Sequence, residues 1–157
     1  MMEIFQTYLL PCIFAFVACI GFSILFNIHG LGILICAVGG GLGWLVYLVT
    51  APMFHSDLLQ SFAAAVFISA YSEVMARIRK CPVTAYLLVA FFPLVPGGGI
   101  YYAMEHAING ETELFLDVLF HTLGLAGSLA VGVLLVSSTV RLINSYLYRR
   151  HRKMKGA

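Results

Sequence analysis

Long apolar runs alternate along the chain with short polar interruptions, and the runs have membrane-crossing length. They predict helical spans over about residues 4–26, 31–49, 58–78, 83–105 and 113–143, each near the roughly 20 residues that cross a hydrocarbon core. Asn27-Ile28-His29-Gly30 ends the first run, and Thr50 to Ser56, with Pro52, ends the second. Arg77, Arg79 and Lys80 close the third, and Pro82 suits the first turn of the fourth. Asn109-Gly110 forms a turn before the fifth; Ser56 or Asp57 is placed to cap the third span and Thr112 the fifth.

Within the runs, small and polar residues recur at helical spacing. Tyr8, Cys12, Ala15, Cys19 and Phe22 share a face of the first span, and Gly32, Cys36, Gly39, Gly43 and Tyr47 a face of the second. The glycines there allow another backbone to approach closely, in the small-xxx-small manner. Ser61, Ala65, Ser69, Ser72, Glu73 and Ala76 form a narrow polar stripe on the third span, expected to point into the bundle. On the fifth, Asp117, His121, Gly124, Ser128 and Gly132 fall together, with Ser128 and Gly132 read as packing positions.

The fourth run contains the strongest interruption, Phe92-Pro93-Leu94-Val95-Pro96-Gly97-Gly98-Gly99-Ile100-Tyr101. Two prolines and three glycines remove backbone donors and relax the limits on φ, so a straight helix through this stretch is not expected. Counted from Val83 at about 1.5 Å per residue, Pro93 to Gly99 lies about 15–26 Å along, near the centre of a bilayer. Irregular backbone at that depth is tolerated only against protein or a water-filled cavity. One reading is a substrate pathway through Pro93, Pro96, Gly97, Gly98, Gly99 and Tyr101; the other is a proline kink that only shapes packing.

Composition turns the pattern into a compartment. Hydrophobic residues make up 61% of the 157 and charged residues 10%, and the mean hydropathy is +0.96, against about 45–50% apolar and 25% charged in soluble domains. The chain therefore reads as an all-α integral membrane protein, a single transmembrane domain over residues 1–148 followed by a basic, frayed tail at 149–157. The opening Met1-Met2-Glu3 lacks a basic n-region, so the first run is a span rather than a signal peptide. Cations cluster at Arg77, Arg79, Lys80 and in the tail, while Glu105, Glu111 and Glu113 lie between the fourth and fifth spans. Five spans with the N-terminus outside and the C-terminus inside satisfy this distribution.

Ionisable groups within spans cost about 2.5–3.5 kcal/mol at the bilayer centre, so each needs a role. Glu73 and Arg77, at i and i+4, form either a structural ion pair or a proton or cation site. Asp117 and His121 repeat that spacing, as a proton relay or as groups that merely touch interfacial water. The four cysteines, Cys12, Cys19, Cys36 and Cys81, have no CxxC spacing and read as packing residues. No metal-ligand spacing, cofactor motif, nucleophile-and-base pair or nucleic-acid motif appears, so neither an enzyme nor a cofactor is expected.

Ser72-Glu73-Val74-Met75-Ala76-Arg77, then Lys80-x-Pro82, then Pro93-Leu94-Val95-Pro96-Gly97 with Tyr101, resembles the small partner of the threonine/serine exporter family, as do Phe22 to Asn27 and the glycine-rich second span. The resemblance covers essentially the whole chain and places Asn27, Glu73, Arg77, Pro93, Pro96 and Gly97 at motif positions. It implies a half-transporter in a bacterial inner membrane, working with a larger membrane subunit of the same family to export threonine, serine or, in some split pairs, dicarboxylates. Proton coupling through Glu73 fits such a carrier; a non-transporting assembly or regulatory subunit and a homo-oligomeric channel are the rival classes.

Overall fold

The computed structural model describes residues 5–155, with side-chain surroundings for residues 5–146. Glu3 and the side chains of the basic tail lie outside the described residues. A π-helical turn, Phe5–Leu9, leads into α1, Leu10–Leu25. Pro11 in the first turn of α1 has no N–H for the carbonyl four residues earlier, and the wider turn sits just before it. The remaining helices are α2, Leu31–Thr50; α3, Asp57–Arg79; α4, Val83–Phe91, extended by a 3-10 turn at Phe92–Leu94; α5, Gly97–Ile108; and α6, Thr112–Lys155. There is no strand among the described residues.

Phe5–Leu25, α2, α3 and Thr112–Tyr146 are each long and apolar enough to cross a membrane. The segments Val83–Leu94 and Gly97–Ile108 make a fifth crossing if taken as one span, bent by 51°. The chain is a multi-pass membrane protein. Its last helix continues through Lys155 without interruption, so the backbone of the basic stretch expected to fray is helical. Neither expected hydroxyl cap forms: Ser56 occupies the N-cap of α3 without a side-chain bond, and Thr112 already belongs to α6.

Two packing groups result. α1 lies on α2, α2 on α3, and α4 against α1, α2 and α3, whereas α6 packs on α3 and α5. Lipid tails are as apolar as leucine, so association rests on close van der Waals contact, and the core is correspondingly built from small residues. Cys19, Cys36, Ala37 and Ala76 surround Tyr86 and Val89 in one cluster; Ala64, Ala65, Ile68, Ala90, Leu94 and Leu129 form the other. A Cβ at Gly39 would come within 2.7 Å of the Tyr71 ring, one at Gly43 would meet Ile68, and one at Gly132 would lie 2.7 Å from Ala65 Cβ and 3.1 Å from the Phe62 carbonyl. Gly32 meets Ile28 and Tyr86 in the same way. Tyr71, brought against Gly39, donates its hydroxyl to the Ile35 carbonyl at 3.0 Å.

Both tight connections at one end of the bundle use a left-handed residue that is not glycine: Asn27 (φ 56°) and Lys80 (φ 55°). At Asn27 the Ile28 N–H reaches the Ser23 carbonyl at 2.9 Å and the Asn27 N–H the Ile24 carbonyl at 3.1 Å, the paired bonds of a Schellman cap.

Candidate functional site

The break begins where α4 runs out of donors. Pro93 has no N–H to offer the Val89 carbonyl, which instead accepts the N–H of Phe92 and the Sγ–H of Cys19 from α1, at 3.4 Å. The 3-10 turn closes with the Val95 N–H on the Phe92 carbonyl at 3.2 Å. Pro96 then adopts φ −78° and ψ 57°, and the Gly97 N–H reaches back to the Val95 carbonyl at 2.7 Å, an inverse γ-turn. The first bond of α5 runs from the Ile100 N–H to the Pro96 carbonyl at 3.4 Å.

The irregular backbone is therefore Phe92 to Pro96, shorter than the sequence suggests. Gly97, Gly98 and Gly99 form the first turn of α5. The first N–H groups of a helix have no internal partner, so three glycines there need no unusual φ. Among the described residues the N–H groups of Gly98 and Gly99 have no backbone acceptor and no side chain caps them, leaving two donors at the positive end of the α5 dipole.

The surroundings of the three glycines differ. Gly97 and Gly98 are exposed, with nothing within 4 Å of an added Cβ, while one at Gly99 would collide with Thr122 Oγ1 of α6. Thr122 is buried and donates to the Val118 carbonyl at 2.6 Å. Pro93 lines a cavity of about 330 Å³ with Pro11, Phe14, Ala15, Ala18 and Trp44. Phe92 stacks on Phe22 at 4.1 Å and tilts over Phe26 at 5.6 Å. Tyr101 is exposed, edge-on to Tyr102 at 5.4 Å, and Asn27 is exposed in the cap after α1.

The polar stripe of α3 faces inward: Ser61, Ser69 and Ser72 are buried. The hydroxyls of Ser69 and Ser72 have no partner among the described residues, which for a buried hydroxyl costs about 1–3 kcal/mol. Glu73 follows, its side chain 18% exposed and 3.9 Å from Arg77 Nε. Arg77 also donates from Nη2 to Asn144 Oδ1 at 3.0 Å, tying α3 to α6.

His121 does not take the partner that its spacing suggests. Its Nε2 lies 3.9 Å from Asp57 Oδ2, at the start of α3, whereas Asp117 is exposed and makes no ion pair among the described residues. Helix-to-helix approach brings Asp57 to the imidazole and leaves the i−4 carboxylate facing outward. Ser128 donates to the Leu125 carbonyl at 2.8 Å within its own helix. Asp57, Thr122 and Asn144 were not singled out from sequence for these contacts. Asp57 reads there only as a cap, and nothing in the local pattern marks Asn144.

Among the described residues no three His, Cys, Asp or Glu side chains converge to hold a metal. The family model described as Threonine/Serine exporter, ThrE, matches residues 11–139. The chain belongs to the threonine/serine exporter family. No curated protein and no solved structure gives a match. The family is one of membrane transporters rather than enzymes, and the matched residues take in the α4–α5 break and the Glu73 and Arg77 pair, stopping short of Asn144.

Proposed function

We propose that this exporter-family chain is the small subunit of a secondary-active carrier for carboxylate-bearing metabolites, threonine and serine foremost, in a bacterial inner membrane. The observation that carries the proposal is the start of α5, where the Gly98 and Gly99 N–H groups are unpaired in a chain of transporter type. Such donors favour a carboxylate. Gly97 and Gly98 open away from the remainder of the chain, which favours a site completed by a larger membrane subunit. In this reading the end bearing Arg77, Arg79 and Lys80 faces the cytoplasm, as the positive-inside rule favours.

Glu73 is the coupling group in this reading. It lies on the face of α3 that holds the unpartnered Ser69 and Ser72 hydroxyls, and Arg77 is near enough to exchange ion pairs with it. The test is Glu73→Gln in proteoliposomes containing both subunits: pH-driven threonine flux should be lost while assembly persists, and unchanged coupling removes the assignment.

A specific observation favours a second reading, a non-transporting assembly subunit. The cavities described along α1, α2 and α4 are lined almost wholly by apolar side chains, which offer little to a charged solute. Radiolabelled threonine uptake into inverted vesicles with and without this chain separates the two: a carrier subunit changes saturable flux when the larger subunit is held at constant amount.

A further inference from the structure

We propose that the chain moves as two bodies, α1 to α4 and α5 to α6, joined by the Phe92–Pro96 break and by an α3–α6 seam whose outer clasp, Asp57 with His121, depends on protonation. α3 and α6 share an extensive seam, and away from it the two bodies scarcely touch. α5 packs substantially on α6 alone, and α6 meets the first body principally through α3. Between α4 and α6 lies instead a groove of about 300 Å³, lined by Thr84, Leu87, Phe91, Phe92 and Val95 on one side and Val133 on the other.

The seam has a fulcrum and two ends. α3 and α6 run parallel, with Leu58 beside Gly124 and Ala65 beside Gly132; at Gly132 an added Cβ would lie 3.1 Å from the Phe62 carbonyl and 3.3 Å from the Val66 nitrogen. Backbones that close define a pivot. Asp57 to His121 at 3.9 Å and Arg77 to Asn144 at 3.0 Å clasp the two ends, about 30 Å apart along α3 at about 1.5 Å per residue, close to a hydrocarbon thickness. Opening one clasp while the other holds widens the groove at one end only, which alternating access requires.

The Asp57 clasp contains an imidazole and the Arg77 clasp does not. An imidazole gains charge between about pH 8 and pH 5, and only the charged form attracts Asp57. Of the other titratable groups on these elements, Asp117 shares the helix of His121, His55 precedes α3, and Glu105 and His106 lie on α5, where Glu111 engages His106 at 2.5 Å. Asp57 and His121 are each more than half exposed, so the clasp shifts the balance between positions by about fivefold at most.

The proposal rests on reading the chain as a moving carrier subunit, but its test does not require solute to be carried. Spin labels at Val49→Cys on α2 and Phe120→Cys on α6, in full-length protein with Cys12 and Cys81 changed to serine and held in lipid nanodiscs, report the distance between the bodies. A longer-distance population should grow severalfold from about pH 5.5 to pH 8. Asp57→Asn should abolish that pH dependence, Asp117→Asn should retain it, and His121→Arg should hold the short distance at both pH values. A distribution in the otherwise native chain that ignores pH, or one whose pH dependence survives Asp57→Asn, overturns the proposal.

Discussion

Cys19 donates its Sγ–H to the Val89 carbonyl at 3.4 Å, the carbonyl that Pro93 leaves without its helical partner. A thiol of α1 thus occupies the point where the α4 ladder fails. The same sulfur lies where a Cβ on Gly40 would stand. Gly40→Ala should therefore destabilise the fold by about 1–3 kcal/mol through overpacking, and Cys19→Ala should relieve most of that loss. Thermal unfolding of both single variants and the double variant measures it; strictly additive effects would show that the two sites do not share this contact.

Gly98 and Gly99 should respond in opposite ways to alanine. Gly98 has free space, and alanine exceeds glycine in helix propensity by about 1 kcal/mol, so Gly98→Ala should leave stability unchanged or raised. Gly99→Ala meets Thr122 and should lower the unfolding temperature, with partial rescue by Thr122→Ala, which removes the Oγ1 and Cγ2 atoms. Equal effects from the two glycines would mean that α5 does not sit on Thr122.

This contrast shows which parts of the molecule are written in the order of its residues. Run length gives the spans, and Pro93 and Pro96 place the break, because both act through local backbone chemistry. The glycines misled in extent: a Pro-Gly-Gly-Gly string reads as loop, but Gly97 to Gly99 occupy the three positions where a helix requires no internal N–H bond. His121 misled for another reason. The i, i+4 rule sees only one helix, and whether Asp57 or Asp117 meets the imidazole depends on how α3 lies along α6. Arg77 with Asn144 joins residues far apart in sequence for the same reason.

Asn27 offers a separation of shape from solute contact. Its φ of 56° suits asparagine or glycine, whereas the left-handed conformation costs other residues about 1–2 kcal/mol. Asn27→Gly should retain both fold and flux, and Asn27→Val should lose about 1–2 kcal/mol of stability. If Asn27→Gly stops threonine flux while unfolding is unchanged, the amide acts on solute rather than on the turn after α1.

The contact between Arg77 and Asn144 gives the last test, because it divides geometry from charge. Arginine can engage Glu73 through Nε and Asn144 through Nη2 together, as seen at 3.9 Å and 3.0 Å; a lysine ammonium lacks that planar fork. Arg77→Lys keeps the positive charge and should lose one of the two contacts. With Arg77 half exposed, the loss should stay below about 1 kcal/mol. Asn144→Ala should cost a similar amount, and the double variant should cost little more than either single one. If Asn144→Ala is silent and Arg77→Lys is not, the arginine serves Glu73 alone and the Arg77 end of the α3–α6 seam is held by packing.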